Sequence, residues 1–493
     1  MLNGNGENGK SKRYTLFVVL TLASIAVMVM YVEAMAFPSL PMVMRDFGLT
    51  VEDYALASWI VTIYLVVGAV AIPVFGKLGD IYGKKKMLVI AMSIYTVMVT
   101  LTGFSRDISD SIYVMIAFRA AQGLAMSMFP LAFSIIRDEF PREKLAVAQG
   151  IISAMFGVGT VVGVVVGAWV TEMWGWQWTY HTVAPVALLF TILVAFKIKE
   201  SPVRIKAKID YVGASILGGM LVLFLVGVTE SGNRGWTDPL IVGLLLVSVA
   251  LLFAFALWLP RAKDPLVRPS LLKQRDIALT NGIAFMIGFA MFTANQTVVA
   301  IGGFTFQLNT IGIGLLMLPM AVITLILGPG AGFVVKRWGP KWPLTFGMIL
   351  SIMGYMMLLG YHSTENEVMV GIAVMGAGSA FAMVGSINML LITTPKEETG
   401  ISTAMNMVIR TSGSVVGPAL AAVIISNNSS IIPGIGAVPD EYAYQLIFVM
   451  ASVFMGIGVI LGLLLTNKQA LPELEKSGPR PVGVAAGPAD GSK

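Results

Sequence analysis

Fourteen apolar runs follow one another along the chain, separated by short polar breaks. They cover residues 14–37, 54–75, 87–105, 111–136, 145–170, 178–197 and 210–229. The series continues over 239–259, 277–303, 310–335, 342–361, 367–394, 399–426 and 442–466. Each approaches the length of about 20 residues that an α-helix needs to cross a bilayer. An even number of crossings returns the chain to the side it left. Residues 1–13 and a Gly/Pro/Ala-rich tail, 467–493, lie outside the pattern and are expected to be disordered. Lys10, Lys12 and Arg13 precede the first run without a small-residue cleavage site, so it reads as a retained span.

The basic residues orient this series. Of 33 Lys and Arg, 28 fall in the two tails and the loops on their side. Three (Arg45, Arg106, Arg234) fall in the opposite loops and two (Arg119, Arg410) inside spans. This bias predicts that both termini are cytoplasmic. The net charge of +6 is then a topology signal, and no nucleic-acid partner is expected.

Composition agrees: 56% of residues are hydrophobic and 12% charged, against about 25% charged in soluble domains. A multi-pass protein of the cell membrane follows, all-α and lodged in the lipid bilayer. With no cysteine there is no disulfide framework, thiolate metal site or cysteine nucleophile. The two histidines, His181 and His362, fall near outer loops, which removes histidine as a mid-membrane proton relay. No phosphate loop, metal-ligand cluster or catalytic triad is present, so neither an enzyme, a metal nor a cofactor is expected. Trp169, Trp174, Trp176 and Trp178 cluster at the outer ends of spans five and six, as an interfacial belt or as part of a vestibule.

Two patterns recur. Gly76-Lys-Leu-Gly-Asp80-Ile-Tyr-Gly83-Lys-Lys-Lys, between spans two and three, shares its spacing with Gly332-Phe-Val-Val-Lys336-Arg-Trp-Gly339-Pro-Lys341. Gly159-x3-Gly163 in span five is echoed by Gly413-x3-Gly417 in span thirteen. The separations are 83 residues from Gly76 to Gly159 and 81 from Gly332 to Gly413. Two related six-helix bundles are therefore expected, 14–198 and 277–466, with residues 199–276 a linker carrying an inserted helix pair. Parallel halves around a central site suit alternating access.

Of the 27 acidic residues only Glu33 lies inside a span beyond its first residue, roughly 6 Å to the outer side of its middle at about 1.5 Å per residue. Arg119 falls at a similar depth in span four. A charge at mid-membrane costs about 2.5–3.5 kcal/mol, so each needs a cavity or a partner. Either both line one polar cavity, where a proton or a cationic substrate competes for Glu33, or they form an ion pair that locks two helices. Arg410 in span thirteen is the one charge within the last six spans, fit for an anionic group or for a structural contact. Gln122, Asn281, Asn295, Gln296, Asn388 and Asn406 are candidates to line the cavity or to bond across helices. Thirty-one methionines suit an adaptable pocket or serve as apolar filler.

Gly76, Leu78, Asp80, Gly83, Lys84 and Lys85 fall in the register of a loop found in the major facilitator superfamily. The resemblance extends to Arg119-x-x-Gln122-Gly123, Trp59 to Tyr64, Asp210-Tyr-Val-Gly213, Asp264-Pro265-Leu266 and Asn406-x3-Arg410-x2-Gly413. Over residues 14–466 the chain resembles the fourteen-spanning drug:proton antiporters. Gly150-x8-Gly159-x3-Gly163-Val164-x2-Gly167-Ala168 is similar to their antiporter signature, although Val164 replaces a proline and Ala168 a glycine. Pro418 after Gly417 restores a Gly-Pro step in the other half. The resemblance implies a monomeric exporter of small amphipathic compounds, driven by proton antiport, with the proton motive force in place of a cofactor. Glu33 and Arg119 would carry the coupling, and no acid in spans ten or thirteen leaves monocations or neutral amphiphiles as substrates. Asp80 would meet the start of span thirteen, near Gly400 to Thr403, when the inner gate is shut, with Arg137 and Arg142 as further partners. Val164 and the cavity arginines keep an uptake symporter or facilitator for a sugar or organic acid open. A sensor or scaffold without transport is the third reading, disfavoured by the preserved gate glycines.

Overall fold

In the computed structural model, residues 5–139, 151–152, 155, 157–201, 209–394, 399–432 and 436–466 are described. Fourteen helices among them are long and apolar enough to cross a membrane. The first six are Arg13–Asp46, Trp59–Tyr82, Lys84–Gly103, Ile112–Ile136, Gly157–Trp174 and Trp176–Lys197. The inserted pair is Tyr211–Ser231 and Pro239–Trp258. The last six are Arg275–Thr305, Thr310–Trp338, Lys341–Gly360, Glu365–Thr393, Ser402–Asn427 and Glu441–Leu464. Helices suit this solvent because they satisfy every backbone polar group within the segment. Below, the near side is the side of the termini and the far side its opposite.

Three differences from expectation have local causes. The first helix already starts at Asn5, within the segment expected to be unstructured, because an established apolar helix propagates at little cost into a proline-free flank. The loop before the last span forms an antiparallel hairpin, β1 (Ser429–Ile432) with β2 (Gly436–Pro439), pairing Ser429 with Pro439 and Ile432 with Gly436. Trp176 leaves the aromatic belt: it is 1% exposed and donates its Nε1–H to Asp46 Oδ2 at 2.9 Å. Trp169, Trp174 and Trp178 stay exposed. The tail 467–493 lies outside the described residues.

Internal repetition is visible at the backbone. A Cβ on Gly159 would lie 2.7 Å from the Val27 carbonyl oxygen, and one on Gly163 would lie 2.6 Å from that of Tyr31. In the other half Gly413 presses on the Phe285 carbonyl, and a Cβ on Gly417 would lie 2.5 Å from that of Phe289. Span five thus seats on span one as span thirteen seats on span nine. The two near-side turns match as well, with Gly83 at φ 115° and Gly339 at φ 80°, a region open to glycine but costly for other residues.

The inserted pair is bonded to the first six. At the near side Asp210 caps its own helix through Gly213 N at 2.8 Å and accepts Trp258 Nε1–H at 2.8 Å. Lys77 of span two donates to the Asp264 carbonyl. At the far side Trp59 Nε1 donates to Thr229 Oγ1 at 2.7 Å. The strings at Asp210, opening span seven, and at Asp264, ahead of span nine, are therefore parts of one near-side knot.

Candidate functional site

Span one places Glu33 by its packing. Its face toward Val27, Tyr31 and Met35 is held against Gly159, Gly163 and Gly167. At about 100° per residue, Glu33 lies on the opposite face, toward the interior of the molecule. The span-five helix widens to a π-turn over Gly163–Gly167. That distortion falls at Val164, where the antiporter signature has proline, so an i→i+5 turn supplies the irregularity there without one.

Span four builds the other pole, and each residue of its Arg-x-x-Gln-Gly string has a distinct task. A Cβ on Gly123 would lie 2.5 Å from the Tyr64 carbonyl oxygen, so the glycine lets spans four and two meet backbone to backbone. Arg119, fully buried, donates Nε–H to the Ile60 carbonyl at 2.8 Å and Nη1–H to Gln122 Oε1 at 2.9 Å. Gln122 Nε2 then donates to the Met98 carbonyl at 3.2 Å and to Thr102 Oγ1. The guanidinium lies over the Tyr64 ring, 4.8 Å from its centroid, a favourable cation–π placement.

Glu33 is 9% exposed and lies within electrostatic reach of Arg119 and of Arg410 from span thirteen. Neither arginine approaches it closely enough for an ion pair within 4.0 Å, so the helix-locking pair is not formed in this conformation. Glu33 Oε2, Arg119 Nη2, Tyr64 Oη, Tyr95 Oη and Tyr180 Oη are all buried without a hydrogen-bond partner. Each such group costs about 1–3 kcal/mol if nothing fills it. Arg410 donates only to Met383 Sδ at 3.4 Å, a weak acceptor.

The remaining candidates disperse. Asn406 Nδ2 donates to Asn281 Oδ1 at 3.3 Å, a cross-helix bond between spans thirteen and nine. Asn388 returns to its own helix, at the Val384 carbonyl. Asn295 is half-buried. Gln296 is buried with both amide atoms unpartnered, while its carbonyl accepts from Tyr54 Oη at 2.9 Å. Pro418 lies within the span-thirteen helix. Gly76 has open space around it.

The near-side loop is tied within the first six spans. Lys84, 1% exposed, pairs with Asp138 and, at 3.6 Å, with Asp80. Asp138 also accepts from Ser201 Oγ at 2.6 Å. Glu200 receives the backbone N–H groups of Lys85 and Lys86, both at 3.0 Å, and closes the start of span three. Among the described residues Asp80 thus faces Lys84. The side chains of Arg137, Arg142 and Gly400, and the structure around Gly150, lie outside the described residues.

Three described hydrogen bonds join the first six spans to the last six, and all are on the far side. They are Tyr54 to the Gln296 carbonyl, Ala55 N–H to Ser426 Oγ at 3.1 Å, and Thr310 N–H to Glu172 Oε2 at 2.9 Å. Two ring pairs reinforce this seam, Phe37 with Phe292 at 6.0 Å and Tyr54 with Phe304 at 5.4 Å. Glu172, Lys84, Asp138, Glu200, Tyr64 and Tyr95 were not singled out as site residues from sequence. Only Lys84, in the register of the Gly76 loop, and Tyr64, as the end of the Trp59 string, carried a signal.

Fold and repeat together define a membrane protein of fourteen spans with two related halves. The chain belongs to the Major Facilitator Superfamily, whose sequence model matches residues 22–294 and 277–489. An uncharacterised MFS-type transporter of Mycobacterium tuberculosis is 27% identical over 402 residues, 80% of this chain and 57% of that protein. The chain thus spans little more than half the length of that relative. The multidrug transporter protein MdtP of Bacillus subtilis is 24% identical over 426 residues, covering 83% of this chain and 76% of its own. A tetracenomycin C resistance and export protein of Streptomyces glaucescens is 26% identical over 447 residues, covering 86% and 78%.

Proposed function

We propose that this protein exports small amphipathic compounds by alternating access, in exchange for protons. The observation that carries the reading is Glu33, a buried carboxylate with an unpartnered oxygen, within electrostatic reach of arginines from both halves. Such an acid can hold a proton when the substrate is absent and yield it when a substrate group occupies the same oxygen. A tenfold proton gradient supplies about 1.36 kcal/mol per proton, and each charge moved gains about 2.3 kcal/mol per 100 mV. The names of the MdtP and tetracenomycin relatives support export. The far-side seam is the contact that rocking of residues 14–198 against 277–466 would break, with a monomer as the working unit.

Liposomes loaded with a pH-sensitive dye test this. Substrate-triggered proton flux opposite to the substrate, abolished by Glu33→Gln, is expected from a panel of drugs, lipophilic cations, sugars and organic acids. Co-directional flux would overturn exchange. It would favour the second reading, proton-coupled uptake of an organic acid, which draws on Arg410 and its lack of a carboxylate within 4.0 Å.

A further inference from the structure

The far-side seam encloses one residue whose chemistry opposes it. Gln296 of span nine is 0% exposed, and both polar atoms of its side-chain amide are without a hydrogen-bond partner among the described residues. Its own backbone fixes it at the seam, because its carbonyl accepts from Tyr54 Oη of the first half at 2.9 Å. Phe292, one turn nearer the middle of the span on almost the same helix face, meets Phe37 of span one at 6.0 Å between ring centroids. Contacts between the halves therefore help to cover Gln296.

The polar groups around this amide are already engaged. Thr293 and Thr297 donate to carbonyls of their own helix, at 2.6 and 2.7 Å. Tyr54 uses its proton on the Gln296 carbonyl. Ser426 donates to the Ala422 carbonyl at 3.0 Å and accepts the Ala55 N–H at 3.1 Å. The adjoining turns of span nine are apolar and buried at Ala294, Val298, Val299 and Ala300. An amide enclosed in this way loses its bonds to water and gains none in return.

We infer that Gln296 is the opening element of the far-side seam: its unpaired amide weakens the closed state, and water satisfies it once the halves part. Closure is then the difference between two opposed sets of terms. Three hydrogen bonds and two ring pairs hold the seam shut, and the dehydrated amide works against them. A seam kept near balance opens for a modest differential input. This inference rests on the alternating-access part of the proposed function, and it holds whatever compound is carried and whichever way protons move.

The test is maleimide labelling of Ala55→Cys in the full-length protein in nanodiscs. Ala55 is 4% exposed, and the substitution retains the backbone N–H that bonds Ser426. The native chain has no cysteine, so the label reports this position alone. Labelling needs an open seam, and its rate follows the open population. Gln296→Met, which keeps the length of the side chain and removes the amide, should slow labelling at least tenfold, a bias of about 1.4 kcal/mol. Gln296→Leu should slow it as well. Gln274→Met, at an exposed amide on the near side, should leave the rate unchanged. Combined with Glu172→Gln, which removes charge from the seam, Gln296→Met should slow the raised rate again. Unchanged or faster labelling in Gln296→Met overturns the assignment, because an amide bonded in the closed state would weaken the seam when lost. The two readings fail separately. Labelling in the parent that Gln296→Met does not slow sinks this inference alone. Labelling in no variant, Glu172→Gln included, overturns the opening of the seam and the inference with it.

Discussion

The two six-helix halves share a backbone plan and divide the chemistry unequally. Both seat one helix on another through paired glycines, and both turn at a near-side glycine of positive φ. In this common register Glu33 of span one corresponds to Met291 of span nine. The first half holds the acid, the buried Arg119–Gln122 network and a tied near-side loop. Its counterpart loop in the last half has Lys336 at the position of Asp80, and Lys341 donates to the Leu463 carbonyl at 2.8 Å. The two halves therefore share the packing that makes a bundle and differ in their polar groups. The other presents helix surfaces and a single half-buried guanidinium.

Substitution at the shared glycines should have the largest effect. Gly413→Ala would place a methyl against the Phe285 carbonyl, where neither backbone can yield, and Gly288→Ala would do the same at the Arg410 carbonyl. A loss of more than about 4 kcal/mol is expected, the range of severe core defects. Little monodisperse protein should then survive size-exclusion chromatography. Gly456→Ala, with nothing within 4 Å of the new methyl, should elute as the parent does. Equal behaviour of all three would dissolve the claim that glycine spacing sets the common plan.

Next comes the near-side loop. Lys84→Met removes one partner of Asp138, whose side chain is 6% exposed. Breaking a buried pair from one side costs about 3–5 kcal/mol, and a clear drop in the thermal unfolding midpoint should follow. Lys341→Met, on an exposed bond in the matching loop, should change stability by under about 1 kcal/mol. A similar drop for both would show that the two loops do not differ in the way argued here.

These contrasts also mark what sequence carries. Span count, inserted pair, repeat and glycine stripes are periodic, and period is what one-dimensional text preserves. Arg119, Gln122 and Gly123 were legible as a string, because their three contacts lie within one helical turn and a neighbouring helix. Glu200 was not: it is remote from Gly83 in sequence, and the contact exists only because span three starts beside the end of span six. Nothing local in sequence marks the Tyr64 and Tyr95 hydroxyls, whose setting beside Arg119 and Glu33 comes from packing of separate spans. Trp176 read as belt because its partner, Asp46, ends another span. Glu172 looked like one more charge at a span end.

The far-side seam tests the division of labour between the halves directly. Glu172 belongs to the first half and receives the Thr310 N–H at the start of span ten, which belongs to the last. A carboxylate on a helix N-terminus gains about 0.3–1 kcal/mol from the dipole, and a charged hydrogen bond about 1.5–3 kcal/mol. Glu172→Gln keeps the shape and loses the charge, so the far-side-open population should rise about tenfold for a loss of about 1.4 kcal/mol. The native chain has no cysteine, so single cysteines at the seam can report this by maleimide labelling without background.

Asp80 supplies the smallest and sharpest contrast. In the present conformation it is about one-third exposed and reaches only Lys84, at 3.6 Å, so Asp80→Asn should leave stability here nearly unchanged. The near-side-closed state is different, because there the proposed partner of Asp80 is the start of span thirteen, again a helix N-terminus of the last half. On that arrangement the substitution weakens the near-side-closed state by about 0.3–1 kcal/mol. It should shift labelling by about two- to fivefold, with a sign opposite to Glu172→Gln. Opposite shifts would mean that the first half supplies a carboxylate latch at each end and the last half supplies the helix termini. The two latches would then oppose each other across the Glu33 cluster, and the double variant should return the population toward its starting value. Shifts of the same sign, or no shift for Asp80→Asn, would confine the latch to the far side and leave the near-side loop as structure alone.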